Sequence, residues 1–171
     1  CLLSDGMGSG RDAALSSRLA AIMMEKLLTV GASPEDALRM LNKALQEKEK
    51  EVFATVDLLQ IDRYFATATL IKAGAAPTLL FRDGNCRRFE SKTPPAGIMK
   101  DVIAEKRSFK LKKGDVLLLL SDGVLQVEEG GGDLPVIHGG NAHAVANAVL
   151  SAARERTDRS DDMSVCAIRI Y

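Results

Sequence analysis

The sequence predicts an α+β fold, mostly antiparallel sheet with helices packed on its faces. Two changes of hydrophobic period predict it. From about Arg11 to Leu45, apolar residues recur with the spacing of amphipathic helices. After Val52 the pattern alternates as strands do, and near the C-terminus one helical and one alternating stretch close the chain. Helices grouped first and strands in a run differ from the regular β-α alternation of a parallel sheet.

Each element has a local reason. Leu2-Leu3 reads as the end of a buried strand. From Arg11 to Val30, Leu15, Leu19, Ile22, Met23 and Leu27 form an apolar stripe, and Gly31 stops the helix. "SPED", Ser33 to Asp36, restarts one, with Ser33 as N-cap, Pro34 at the first helical position and acids in the first turn. Leu38, Leu41 and Leu45 make its buried stripe, and "EKEKE", Glu47 to Glu51, its solvated end. "TVDLLQIDR" and "YFATATLIKAG" are β-branched or aromatic and alternate, so they read as adjacent strands. "TLLFRDGNCRRF" is a hairpin around Asp83-Gly84-Asn85. Paired prolines make "TPPAGIM" a loop. A further strand and a Lys113-Gly114 turn lead to Val116–Leu120, a continuous apolar run buried on both faces. "EEGGGDLPVIHGG", Glu128 to Gly140, reads as a flexible loop. Asn141 caps a helix, and "MSVCAIRIY" is a last alternating strand.

Composition narrows the function classes. The 171 residues suit one domain, residues 1–171. Lys+Arg and Asp+Glu balance at 23 each, so no net field draws the chain to nucleic acid or membrane. There is no Trp and only 4% aromatic residues, too few for base-stacking platforms. No apolar run is long enough for a spanning helix, and the segment is expected to be cytoplasmic. Cys1, Cys86 and Cys166 are scattered and odd in number, which reads as small core residues rather than a disulfide or zinc framework. Cys1 already lies in an apolar strand with no initiator Met, so the chain is expected to be an N-terminally truncated piece of a longer one.

The chemistry sits in carboxylates. Ser4-Asp5-Gly6 follows an apolar run and opens the glycine-rich "SDGMGSG"; the same tripeptide recurs at Ser121-Asp122-Gly123, again after an apolar run. Average usage gives one such tripeptide in about one chain in twenty of this length, so two at strand ends outweigh the reading of each as a mere Asp-Gly turn. "SDDMSV" adds Asp161 and Asp162 just before the last strand. If that strand runs antiparallel to those ending at Asp5 and Asp122, three carboxylates converge on one sheet edge. Packed carboxylates repel, and a divalent cation removes the conflict. Oxygen-only donors point to Mg²⁺, Mn²⁺ or Ca²⁺ rather than zinc. A phosphate-binding P-loop needs Gly-Lys-Ser/Thr, and no Lys follows Gly10; a dinucleotide fingerprint and an EF-hand loop fail on spacing.

These acidic segments, in this order, resemble the PP2C-type metal-dependent serine/threonine phosphatases, and within them the bacterial branch typified by stage II sporulation protein E. The matching stretches are "SDGMGSG", "ATVDLLQID", "KAGAAPTLLFRDG", "PPAGIM", "GDVLLLLSDGV" and "DDMSV". The resemblance implies an α-β-β-α sandwich of two antiparallel sheets flanked by helices, and two Mn²⁺ or Mg²⁺ ions. It implies that Asp5 bridges both metals, that the Gly6 carbonyl touches one, and that Asp122 and Asp161 complete the other. Relatives often read Asp-Asn-Met-Thr at the last motif, which gives Asp161 the ligand place and leaves Asp162 open as its alternative. It also implies a further Gly-Asp upstream of Cys1. Gly74-Ala75 stands where stress-response relatives have Gly-His, nearer the sporulation branch; His138 and His143 are expected to be surface or structural. The implied reaction is hydrolysis of phosphoserine or phosphothreonine on a protein, typically a phosphorylated anti-sigma factor antagonist, with a possible homodimer. The rival readings are a catalytically silent regulatory domain of the same fold and another acidic-metal hydrolase such as a phosphodiesterase.

Overall fold

The computed structural model describes residues 1–8, 10–47, 52–129, 140–156 and 162–171. The elements run β1 (Leu2–Leu3), α1 (Gly10–Thr29), α2 (Pro34–Gln46), β2 (Val56–Asp62), β3 (Thr67–Ala73), β4 (Thr78–Arg82), β5 (Asn85–Phe89), β6 (Glu105–Lys110), β7 (Val116–Leu120), α3 (Asp122–Glu129), α4 (Ala142–Arg156) and β8 (Val165–Arg169). They divide into two compact units, Cys1–Ala75 with Ser91–Lys110, and Ala76–Glu90 with Leu111–Tyr171. Each holds one four-stranded antiparallel sheet with a helix pair against it, as the α+β reading expects.

The first unit has strand order β1-β2-β3-β6. Ala20 and Met24 of α1 and Leu38, Leu41 and Leu45 of α2 pack on Val56, Leu58, Ile71 and Ala73. The α2 stripe is therefore the predicted one. Its start is too: Ser33 Oγ accepts from the Asp36 amide, and Pro34 opens the helix. Helix α1 differs from expectation. Its fully buried face is Ser16, Ala20 and Met24, while Leu15 and Ile22 are 54% and 46% exposed. Hydrophobic period tracks apolarity and not size, and here small residues let the helix backbone come close to the chain beneath it. The helix ends as predicted, with Gly31 at φ 91°, the Gly31 amide bonded to Leu28 O and the Ala32 amide to Leu27 O. Strand β1 is half-buried rather than buried, because it is an edge strand with one neighbour. Glu47 caps α2, and 48–51 lie outside the described residues.

The second unit has strand order β5-β4-β7-β8. Leu79, Val116, Leu118 and Leu120 pack with Val124, Leu125, Val145 and Val149 of its helices. Leu117 and Leu119, on the opposite face of β7, are also buried, as predicted for that strand. The β4–β5 hairpin turns on Asp83 and Gly84, at φ 50° and 76°, the signs a two-residue type I′ turn needs, and Asn85 already belongs to β5. Asn141 caps α4 through an Oδ1 bond from the Ala144 amide. Two expectations are corrected. Glu128 and Glu129, placed in the glycine loop, end helix α3; the rest of that loop, 130–139, lies outside the described residues. The three cysteines form no disulfide, as expected, but they are not core: Cys1 and Cys86 are exposed and Cys166 half-buried. Cys86 lies on β5, an edge strand of its sheet.

Candidate metal centre

Asp5 sits where the β1–β2 ladder is diverted. Leu3 pairs with Asp57, and Gly6 bridges Ala54 in the same register, so Asp5 stands opposite Thr55. A regular antiparallel pair of this kind exchanges two N–H···O=C bonds. One is kept: the Thr55 amide donates to Asp5 O at 2.7 Å. The Asp5 amide donates instead to Thr55 Oγ1 at 2.8 Å. The Thr55 carbonyl is taken by the Ser4 hydroxyl at 2.7 Å. Leu2 packs toward the helices, so strand alternation puts Ser4 and Gly6 on that face and Asp5 on the other, with Leu3 and Asp57. A Cβ on Gly6 would lie 1.9 Å from Ala13 O and 2.5 Å from Ser16 Oγ. Glycine is thus obligatory where α1 crosses the motif. Gly8 and Gly10 have φ of 92° and 78°, so they carry the chain into α1 through a backbone closed to most side chains.

The second Ser-Asp-Gly is tied in a related way. Asp122 is the exposed first residue of α3, and its Oδ1 accepts from the Gly123 amide at 2.9 Å. The Ser121 hydroxyl donates to Asp162 O at 3.1 Å and accepts from the Ser164 amide at 2.9 Å. In each motif, then, the serine hydroxyl pins the loop to a carbonyl of a neighbouring segment. Strand β8 runs antiparallel to β7 with Leu120 opposite Val165, so the segment leading into β8 lies beside Asp122 as predicted. Asp162 is exposed, and Asp161 lies outside the described residues. The expectation of a single sheet edge is corrected. Strand β1 pairs with β2 in the other sheet, and β8 borders β7 alone.

Asp5 and Gly6 therefore belong to the first unit, Asp122 and Asp162 to the second. Among the described residues no three His, Cys, Asp or Glu side chains gather as a metal site. The donor chemistry at the motifs is carboxylate and backbone carbonyl, which fits a hard divalent ion. His143 is exposed, with its Nε2 3.1 Å from Asn147 Nδ2, and His138 lies outside the described residues.

Sequence reasoning did not single out three polar residues beside the first motif. Thr55 is one. The other two are Asp57 and Lys72, directly opposed on β2 and β3 and joined by a 2.7 Å ion pair. Burial pushes the Lys72 ammonium below its ordinary pKa, and Asp57 works against that shift. A signal was present in both places: an Asp inside "TVDLL" and a Lys inside "LIKA" interrupt apolar strands.

The fold and sequence match known proteins. The sequence profile of the Stage II sporulation protein E (SpoIIE) family matches residues 1–171. The chain belongs to the SpoIIE family. Stage II sporulation protein E of Bacillus subtilis (strain 168) is 31% identical over 125 residues, 72% of this chain. Phosphoserine phosphatase RsbU of the same strain is 27% identical over 127 residues. The chain spans 15% of the length of the first and 38% of the second. Among solved structures, the PP2C phosphatase domain of SpoIIE from Bacillus subtilis, with a fragment of its regulatory domain, superposes with a TM-score of 0.88 at 26% identity, covering 99% of this chain and 53% of that one. This SpoIIE-family chain thus has the PP2C phosphatase fold. Among its described residues no helix is long and apolar enough to cross a membrane.

Proposed function

We propose that residues 1–171 belong to a single catalytic domain of a metal-dependent protein phosphatase, hydrolysing phosphoserine or phosphothreonine on a protein. The observation that carries the reading is the pair of Ser-Asp-Gly motifs on a PP2C fold, each with its serine hydroxyl fastened to a neighbouring carbonyl. Such fastening holds a carboxylate in place before anything binds. Names of relatives support the chemistry: RsbU is a phosphoserine phosphatase. By kinship with SpoIIE and RsbU, the substrate is a phosphorylated anti-sigma factor antagonist, met in the cytoplasm, and the protein works as a homodimer.

Asp5, the Gly6 carbonyl, Asp122 and Asp161 would hold two Mn²⁺ or Mg²⁺ ions, with Asp162 as the alternative to Asp161. Bound there, such ions supply charge neutralisation at the phosphoryl oxygens and acidify the attacking water. The chain's own part is placement. Asp5 is held through its backbone by Thr55. Gly6 lets α1 approach the motif closely because no side chain intervenes. Asp122 stands exposed at the first position of α3, where a helix N-terminus favours a carboxylate.

The test is hydrolysis of a phosphoserine protein with Mn²⁺, wild type against Asp122→Asn. Wild type turns over; Asp122→Asn loses nearly all activity and keeps its denaturation midpoint. Full activity in the variant would remove Asp122 from the site. An inactive wild type that binds no Mn²⁺ at millimolar concentration would make the chain a silent relative.

A further inference from the structure

We propose that Thr55 is a positioning residue for the metal centre: its hydroxyl diverts the strand ladder at Asp5 and thereby aims the Asp5 carboxylate. The proposal rests on the phosphatase reading for what Asp5 does, but on its own geometry for how Asp5 is held.

Three hydrogen bonds join the Ser4-Asp5 segment to Thr55, at 2.7, 2.8 and 2.7 Å. Two of the three use a side-chain hydroxyl where a strand would use a carbonyl or leave the site bare. The Asp5 amide turns off the ladder onto Thr55 Oγ1. The carbonyl it would have met accepts from Ser4 Oγ and keeps a second lone pair. The ladder resumes one residue later at the Gly6–Ala54 bridge, and Met7 follows with its amide on Phe53 O at 3.1 Å. The irregularity is therefore confined to the residue that carries the carboxylate.

Threonine suits the task. Its hydroxyl is an acceptor for the amide, and its branched Cβ restricts χ1, so the oxygen is fixed in space. From the other face Gly6 has no room to shift toward α1, since even a Cβ would collide with Ala13 O. Asp5 is gripped between the two. A valine at 55 would keep shape and strand preference but lose the acceptor. The Asp5 amide would then return to the residue 55 carbonyl, β1 would run on as regular strand, and the Ser4-Asp5 peptide would rotate. The fold gains an ordinary ladder bond, so stability is retained; the carboxylate is re-aimed, so metal affinity is not.

The experiment uses the intact protein in three forms: wild type, Thr55→Val and Thr55→Ser. Mn²⁺ affinity is measured by calorimetry, the denaturation midpoint by urea, and the metal-free wild-type and Thr55→Val proteins are crystallised. Loss of an outer-shell partner of a metal ligand costs about 10- to 100-fold in affinity. Thr55→Val is expected to fall in that range at an unchanged midpoint, with Thr55→Ser restoring wild-type affinity to within about threefold because its hydroxyl is retained. Equal Mn²⁺ affinity in Thr55→Val and wild type would overturn the proposal. So would a drop in midpoint with affinity intact, which marks a structural role alone. If wild type binds no Mn²⁺, the metal reading fails by itself. The crystals still decide the clamp: a rotated Ser4-Asp5 peptide in Thr55→Val supports it, and an unmoved one overturns it.

Discussion

Asp57 and Lys72 face each other across β2 and β3 in a 2.7 Å ion pair with 1% and 2% of their side chains exposed. They lie on the sheet face that also carries Leu3 and Asp5, away from α1 and α2. Breaking a buried pair strands a charge, whereas replacing both partners with apolar groups can be neutral. Lys72→Met should cost about 3–5 kcal/mol in urea denaturation, and Asp57→Leu with Lys72→Met should recover most of it. A single variant within about 0.5 kcal/mol of wild type would show that the pair carries no such weight.

Asp115 gives the pH dependence. Burial alone would raise its pKa, but bonds from Arg82 Nε at 2.8 Å, Arg82 Nη2 at 2.6 Å and the Lys112 amide at 2.8 Å outweigh it and hold the carboxyl below its ordinary 3.8. A carboxyl depressed in the folded state contributes stability that is whole above its unfolded pKa and is lost as pH falls through the folded value. Wild type should therefore lose stability below its ordinary 3.8, and Asp115→Asn should show less of that acid loss. At neutral pH the variant should be about 2–3 kcal/mol less stable, read from urea midpoints at a series of pH values.

Gly6→Ala places a methyl 1.9 Å from Ala13 O, against backbone that has no rotamer to yield. Overpacking of this kind costs about 1–3 kcal/mol or more, and here it must move either α1 or the Asp5 strand. We expect lowered thermal stability together with loss of Mn²⁺ binding. Retention of both would show that α1 is free to lift from the motif.

Asn42 holds the "PPAGIM" loop to α2. Its Oδ1 accepts from the Gly97 amide at 2.8 Å, and its Nδ2 donates to Met99 O at 2.9 Å and Lys100 O at 3.3 Å. Ala96 beside it bridges Ala54, which also bridges Gly6. Asn42→Ala should cost about 1–3 kcal/mol and speed amide exchange around Gly97, measured by mass spectrometry. Unchanged exchange there would mean that the Ala96–Ala54 bridge and Gln46, bonded to Met99 O at 2.6 Å, suffice to hold the loop.

Much of the fold was legible because it depends on local rules. The α2 cap, the Gly31 stop, the Asp83-Gly84 hairpin and the fully buried β7 each follow from a few adjacent residues. The readings that failed depend on neighbours far away in sequence. Leu15 and Ile22 look like core by period, yet Ser16 and Ala20 face inward, and at Ser16 the close approach to Gly6 leaves room only for a small side chain. Cys86 looked buried by type, yet it lies on an edge strand.

The sequence by itself determined the α+β order of elements and the repeated Ser-Asp-Gly at strand ends. Those are properties of short stretches, and short stretches carry period and turn chemistry. Only the tertiary structure decided that β1 joins a different sheet from β8, that Thr55 takes the Asp5 amide, and that Asp57 meets Lys72 out of solvent. The Asp5–Thr55 bond joins residues 50 positions apart. Nothing local distinguishes a hydroxyl that will meet water from one that will meet a backbone amide; strand pairing brings the two together.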